Sequence, residues 1–275
     1  MRKLGFLGGG NMAEALLHGL IVHKVFKPGD LAASDIDPTR RRKLARRGIK
    51  TTADNVEVVR ESQAILIAVK PQHIDEVLRD ISNAFDRRNA DLKKRLIISI
   101  AAGVTIDRIA GAFGKGVRVI RVMPNAPAMV GRGMAALVKS KAASKADEAF
   151  ALKIFQSVGD AVALKDESML DAVTGLSGSG PAYVYLFVKA LADAATNEGI
   201  PPELALRMAL KTIEGAEQVM RSGDKTPDEL IRIVASPGGT TEAALRQFAT
   251  AGFSDIVAGA VHAATRRSRE LGKQY

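Results

Sequence analysis

Two segments at opposite ends of the chain carry the residue types that bind anions. The first is Gly8-Gly9-Gly10-Asn11-Met12-Ala13, which follows the apolar run Leu4 to Leu7. Gly8 permits a tight turn after a strand, Gly10 lets a phosphate approach the backbone, and Ala13 is small enough for a helix to pack closely on a sheet. The helix expected over 10–23 aims its unpaired N–H groups and positive end at that phosphate. An ordinary strand–helix turn is the competing reading, but a strand before and a helical pattern after favour a dinucleotide. The second segment is Ser236-Pro237-Gly238-Gly239-Thr240-Thr241, at the start of a helix expected over 240–251. Free helix N–H groups, flexible glycines and two hydroxyls converge there, and a small carboxylate would fit. N-capping by Thr240 alone explains one threonine and not the run Gly-Gly-Thr-Thr.

No side chains assemble a strong general base. His18, His23, His73 and His262 fall on helical patterns and read as packed or surface histidines. There is no cysteine, so thiolate chemistry and disulfides are excluded, and four scattered histidines argue against a metal site. Reduction of an already protonated C=N bond suits this inventory. It needs a hydride donor, orientation and a carboxylate anchor, and no buried acid.

The elements that must position these residues follow from hydrophobic periodicity. Strands are expected at the first residues and over 31–34, 50–52, 64–69, 96–100, 117–122, 135–138 and 161–164, with helices over 38–48, 71–81, 105 onward and 144–158. This alternation predicts an α/β fold, an open and mostly parallel doubly wound sheet of the Rossmann type over 1–165. Beyond residue 165 the strands stop, and helices are expected over 169–176, 181–199, 202–222, 226–234, 240–251 and 254–271. The stretch 181–199 has no clean polar stripe, as in a core or subunit interface. Residues 166–275 therefore read as an all-α dimerisation and substrate domain.

Ligands of such sheets sit at the C-terminal strand ends. Four ends are unusual: Ser34-Asp35, Ala68-Val69-Lys70-Pro71, Ile100-Ala101-Ala102-Gly103 and Met123-Pro124-Asn125-Ala126-Pro127. Ser34 falls near the adenosine ribose, and Asp35 could accept from the ribose hydroxyls of NAD. Arg40, Arg41, Arg42, Lys43, Arg46, Arg47 and Lys50 follow with no acid among them. Ser34 with Arg40 or Arg41 would hold a 2′-phosphate, which favours NADP and leaves NAD open. Charge agrees: residues 1–165 carry 29 basic and 16 acidic side chains, and 166–275 carry the remaining 11 and 14. An anionic cofactor needs that field, whereas nucleic acid is disfavoured by the absence of Trp and of any recognition motif. No signal peptide and no membrane-length apolar run are read, so a cytoplasmic protein is expected.

Together the segments 8–13, 68–71, 101–106, 121–127, 171–183 and 236–241 resemble the signatures of pyrroline-5-carboxylate reductases, in order and across essentially the whole chain. Asp171-Ala-Val-Thr-Gly-Leu-Ser-Gly-Ser-Gly-Pro-Ala-Tyr183 and the 236–241 loop are the specific ones. The resemblance implies an NAD(P)H-dependent enzyme that makes proline. It implies cofactor contacts at Leu7, Gly8, Gly9, Gly10, Asn11, Met12, Ser34, Asn55, Ala68, Val69, Lys70, Pro71, Ile100, Ala101 and Ala102. It implies substrate contacts at Glu167, Ser236, Gly238, Gly239, Thr240 and Thr241. It further implies an interlocked helical dimer that can assemble further. Ile233 departs from the pattern, since some relatives have a polar cofactor contact there.

The expected mechanism sets the nicotinamide near Ala101 and Asn125 and the carboxylate of 1-pyrroline-5-carboxylate on the N–H groups after Ser236. Thr241 then hydrogen-bonds the ring nitrogen. Two other readings are a β-hydroxyacid dehydrogenase, with Lys189 as its lysine, and a non-catalytic NADP-binding module.

Overall fold

The computed structural model describes residues 1–85, 94–114 and 116–274. They form two compact units: Met1–Ser179 together with the stretch from Ala263 onward, and Gly180–His262.

The first unit is built on one eight-stranded sheet, ordered β3-β2-β1-β4-β5-β6-β7-β8. Its strands are β1 (Arg2–Leu7), β2 (Leu31–Ser34), β3 (Lys50–Thr52), β4 (Ser62–Ile67), β5 (Leu96–Ser99), β6 (Arg118–Met123), β7 (Gly133–Lys139) and β8 (Gly159–Ala163). All neighbours are parallel except β6 and β7. Helices α1 (Asn11–Val22), α2 (Pro38–Ala45), α3 (Asn55–Glu61), α4 (Ile74–Ala84), α5 (Ile106–Phe113), α6 (Lys145–Gln156) and α7 (Met169–Val173) cover it. One apolar layer joins Phe6, Leu66 and Ile120 to Leu16, Leu20 and Phe155; the other joins Leu7, Ile65 and Val119 to Val59, Leu78 and Ile109. Strands buried on both faces explain the unbroken apolar runs of β4 and β5.

Helix α3 has no counterpart in the sequence reading. Only Val58 and Val59 are buried on it, too few for a helical period, and its N-cap Asp54 accepts from the Val56 N–H at 2.7 Å. The break expected at Gly-Ser-Gly-Pro is also absent. Residues Thr174–Gly178 form a π-helical turn, closed by the Ser179 N–H on the Thr174 carbonyl, and lead directly into the next helix. A Cβ at Gly178 would lie 2.5 Å from Met123 Cε, so that glycine permits close packing on β6.

The second unit is helical: α8 (Gly180–Asn197), α9 (Pro202–Ser222), α10 (Pro227–Val234), α11 (Thr240–Thr250) and the beginning of α12 (Phe253–Gln274). Its small core is Val188, Ala192, Ala205 and Ala209, where α8 meets α9. Tyr185, Leu186, Leu206 and Leu210 of these helices are exposed. Among the described residues no helix is long and apolar enough to cross a membrane.

Candidate active site

Strand order reverses between β2 and β4 on either side of β1, and the glycine turn leaves β1 at that switch point. Register places Leu7 beside Ser34 and Ile67, and Ile67 beside Ser99, in one row at the C-terminal edge. The ladder continues one residue past the strands: Gly8 N–H donates to the Ser34 carbonyl, Ala68 N–H to Leu7 and Ile100 N–H to Ile67, at 2.8, 2.8 and 3.1 Å. The expected cofactor residues Leu7, Gly8, Ala68, Ile100 and Ala101 therefore share one edge. Val69, Lys70 and Pro71 follow Ala68 into a 3-10 turn, and Ala102 follows Ala101.

The three glycines of the turn differ. Gly8 has φ +95°, and a Cβ there would meet the Ala68 carbonyl oxygen at 2.9 Å. Gly10, the N-cap of α1, has φ −68° and no capping side chain. A Cβ at Gly10 would meet only the Arg40 guanidinium, at 3.6 Å, so there is room for a ligand where α1 begins with Asn11 and Met12. Gly9 N–H donates to Asp35 Oδ2 at 2.7 Å, while Asp35 Oδ1 accepts from Asp37 N–H at 2.8 Å. Asp35 thus braces the glycine turn with one oxygen and its own loop after β2 with the other. The cradle fits a dinucleotide pyrophosphate.

Ser34 is fully buried, and its hydroxyl donates to Asn55 Oδ1 at 2.6 Å, so these two expected cofactor residues are joined to each other. The basic run separates by partner. Arg41 is committed to the carbonyls of Asp35 and Ile36 at 2.7 and 2.9 Å. Lys43 and Arg47 pair with Glu14, and Lys50 with Glu57 and Glu61. Arg40 alone lies over Gly10, with looser contacts of 3.6 Å to Asp35 and 3.8 Å to Asp37. Of the two arginines that sequence left open for a 2′-phosphate, Arg41 is tied to main-chain carbonyls and Arg40 is not. Asn125 bridges elements, its side-chain N–H donating to the Ser177 carbonyl at 3.0 Å and its oxygen accepting from Met134 N–H at 2.8 Å.

Glu167 also lies in the first unit. Its Oε1 accepts from the Ile106 N–H, at the start of α5, at 2.8 Å and from the Arg121 guanidinium at 2.9 Å.

In the second unit the cap of α11 is Gly239, not Thr240, and no side chain caps it. Thr240 and Thr241 are its first two residues, so their N–H groups lack intrahelical acceptors. Gly238 has φ +71°, and Gly239 N–H closes the loop on the Ser236 carbonyl at 2.9 Å. Gly238 N–H donates to the carboxylate of Glu242 at 2.6 Å. Glu242 was missed in the sequence; its signal was an acid in the first helical turn behind Gly-Gly-Thr-Thr. Thr241 lines an apolar cleft of about 510 Å³ with Met220, Leu230, Ile233 and Leu245. Ile233 is thus one wall of an apolar surface. Lys189 is exposed on α8 and pairs with Asp193 one turn away.

Comparison with known proteins agrees with this geometry. Residues 167–271 match the family model for pyrroline-5-carboxylate reductase dimerisation, and residues 3–103 match the model for NADP oxidoreductase, coenzyme F420-dependent. A pyrroline-5-carboxylate reductase of Methanosarcina acetivorans is 39% identical over 99% of each chain. Among solved structures, the reductase of Coxiella burnetii superposes with a TM-score of 0.90 at 31% identity, covering 98% of each chain. That of Plasmodium falciparum, solved with NADP bound, gives 0.87 at 32% identity, again over 98% of each chain.

Proposed function

The chain belongs to the pyrroline-5-carboxylate reductase family, and from that premise we infer that it reduces 1-pyrroline-5-carboxylate to L-proline, the last step of proline biosynthesis, with NADPH preferred and NADH usable. The observation that carries this reading is the presence in one chain of a glycine cradle with Arg40 above it and an uncapped helix start bearing Thr240 and Thr241. When bound, NADPH supplies a hydride to the imine carbon and becomes NADP+. The chain's own groups do the rest.

In this reading Gly10 and the first turn of α1 receive the pyrophosphate, and Arg40 receives the 2′-phosphate. Ile100, Ala101 and Ala102 bound the nicotinamide end, with Asn125 beside them. The N–H groups of Thr240 and Thr241 take the substrate carboxylate, and the Thr241 hydroxyl contacts the ring nitrogen. The Glu242 carboxylate, which accepts from the Gly238 N–H, supports this reading as a carboxylate already held by a main-chain N–H of the loop. One hydride arrives at carbon and one proton must reside on nitrogen. The protonated imine already carries that proton, so no side chain has to give one. The apolar cleft beside Thr241 offers water few partners, which protects the imine from hydrolysis.

The functional division we favour remains 1–165 for the dinucleotide and 166–275 for dimerisation and substrate. Exposed Tyr185, Leu186, Leu206 and Leu210 form the face assigned to a second copy of the chain, which leaves other surfaces for further assembly of dimers. A cytoplasmic location goes with this reading, the cysteine-free sequence giving an oxidising compartment nothing to bridge. The test is a steady-state assay with 1-pyrroline-5-carboxylate and each reduced nicotinamide. Oxidation of NADPH with this substrate and none with hydroxy acids is expected. Tight NADPH binding without turnover of the imine would move the chain to the non-catalytic reading, and turnover of hydroxy acids to the dehydrogenase one.

A further inference from the structure

The least explained charged group of the first unit is Arg121. It sits inside β6, paired in register with Ser99 of β5, and its side chain is 8% exposed. A buried guanidinium is costly, and an apolar residue of similar volume would serve packing as well or better. Its partner is Glu167, and the same Glu167 oxygen also accepts from the Ile106 N–H. The pair therefore grips the first N–H of α5 from elements far away in sequence.

What lies just before Ile106 is the β5–α5 turn, residues 100–105. Several independent contacts fix it. Ser99 Oγ accepts from the Ala101 N–H at 3.3 Å, and Thr105 caps α5 by accepting from Arg108 N–H at 3.2 Å. Gly103 has φ +78°, and a Cβ there would stand 3.2 Å from Leu271 Cβ. The Arg121–Glu167 pair is the only charged contact of this set, and it acts on a main-chain N–H rather than on a side chain. Such an anchor fixes the path of the turn and not merely its packing.

We propose that Arg121 is a positioning residue for hydride transfer: by holding the Glu167 carboxylate on the Ile106 N–H it sets the 100–105 turn on which the nicotinamide rests. The proposal depends on the reductase reading above. It assigns Glu167 a main-chain task within the first compact unit. The pyrophosphate and adenosine ends are held by other residues, so cofactor affinity should be nearly independent of Arg121 while the transfer step is not. A small displacement of a positioned reactant costs up to about a hundredfold in rate.

The experiment uses the full-length protein with Arg121→Met, Arg121→Lys and Glu167→Gln. Backbone hydrogen exchange is measured over 100–106 without cofactor, together with NADPH dissociation constants, kcat, and the primary isotope effect with NADPH deuterated at the transferring position. In Arg121→Met and Glu167→Gln, Ile106 exchange should accelerate by about tenfold or more as the charged hydrogen bond weakens. Their kcat should fall about 10–100-fold and the isotope effect should rise, with NADPH affinity within about threefold. Arg121→Lys should recover part of both. Unchanged Ile106 exchange, or an unchanged isotope effect in a folded variant, overturns the proposal, as does a loss of NADPH affinity equal to the loss of kcat. If Arg121→Met does not fold, Glu167→Gln, which keeps the side-chain shape, decides by the same criteria. Wild-type enzyme without turnover of the imine would instead remove the reductase reading, and the exchange result would still report whether the pair anchors the turn.

Discussion

Gly8 and Gly10 lie two residues apart in one motif, yet alanine at each should fail for different reasons. At Gly8 the backbone sits at φ +95°, and a Cβ would lie 2.9 Å from the Ala68 carbonyl oxygen and 3.1 Å from Val69 Cγ1. A side chain in that conformation costs about 1–3 kcal/mol. The Ala68 carbonyl is main chain and its residue is tied to Leu7 by its own N–H, so overpacking adds about 1–3 kcal/mol. The lower entropy of the unfolded alanine chain returns about 0.4–1 kcal/mol. The net cost is about 1–6 kcal/mol, a fall in Tm of about 2–24 °C for a domain of this size. At Gly10, φ is −68° and the only neighbour is Arg40 at 3.6 Å, so alanine fits the protein. Its poorer N-capping and its entropic gain offset each other to within about 1 kcal/mol. The new methyl group stands where the pyrophosphate must approach, and NADPH affinity should fall about tenfold or more. Thermal unfolding and calorimetric titration with NADPH on both variants separate the two. If Gly10→Ala binds NADPH like wild type, or is destabilised as much as Gly8→Ala, the assignment of one glycine to the turn and the other to the ligand is wrong.

Thr241→Ala should lower kcat/KM for the imine about 10–150-fold, the worth of one hydrogen bond to a charged group, with NADPH affinity intact; unchanged kinetics would remove Thr241 from the ring nitrogen. Arg40→Ala should weaken NADPH about tenfold, since the side chain is half exposed, and leave NADH unaffected; equal losses for both cofactors would refute its place at the 2′-phosphate. Asp147 gives a pH signature. Burial opposes its ionisation, but the Ser144 N–H and hydroxyl and the Arg118 guanidinium outweigh that and hold its carboxyl below the ordinary aspartate value. A lowered native value means that its stabilisation is complete above about pH 4, where the unfolded carboxyl is already ionised, and is lost as pH falls through the native value. Asp147→Asn should therefore cost about 1–3 kcal/mol of stability and lower Tm at neutral pH, and the gap to wild type should narrow as acid melts go progressively below the ordinary aspartate value.

The sequence was most informative where chemistry and local geometry coincide. The first glycine motif, the four unusual strand ends and the 236–241 loop each declare themselves within a few residues, and the structure puts the expected strand ends on one sheet edge. Long-range pairing was not legible. The basic run from Arg40 to Lys50 has no acid within it, but Lys43 and Arg47 find Glu14 on α1, about thirty positions away. Asp35 looked like a ribose acceptor; that it turns back on Gly9 depends on how the turn folds. The Ser34 hydroxyl is consumed by Asn55 because α3, itself too short to show a period, brings that amide over the strand. The gap expected between the helices over 169–176 and 181–199 is taken up by a π-helical turn, whose Gly178 lies close to Met123 of β6.

One helix belongs to both compact units. α12 begins in the second, but from Ala263 onward its residues belong to the first, where Ser268 donates to Asp171 at 2.7 Å and Leu271 packs on Gly103. A ribosome delivers the sheet early, and domains generally fold in that order. Here the contacts of Leu271 with Gly103 and of Ser268 with Asp171 can form only when residues 263–274 have emerged, after the whole helical unit has been made. Expressing residues 1–179 alone would leave Gly103 without Leu271 and Asp171 without Ser268, and a nick or stop codon in the final turns of α12 would damage the dinucleotide half while sparing the half it interrupts.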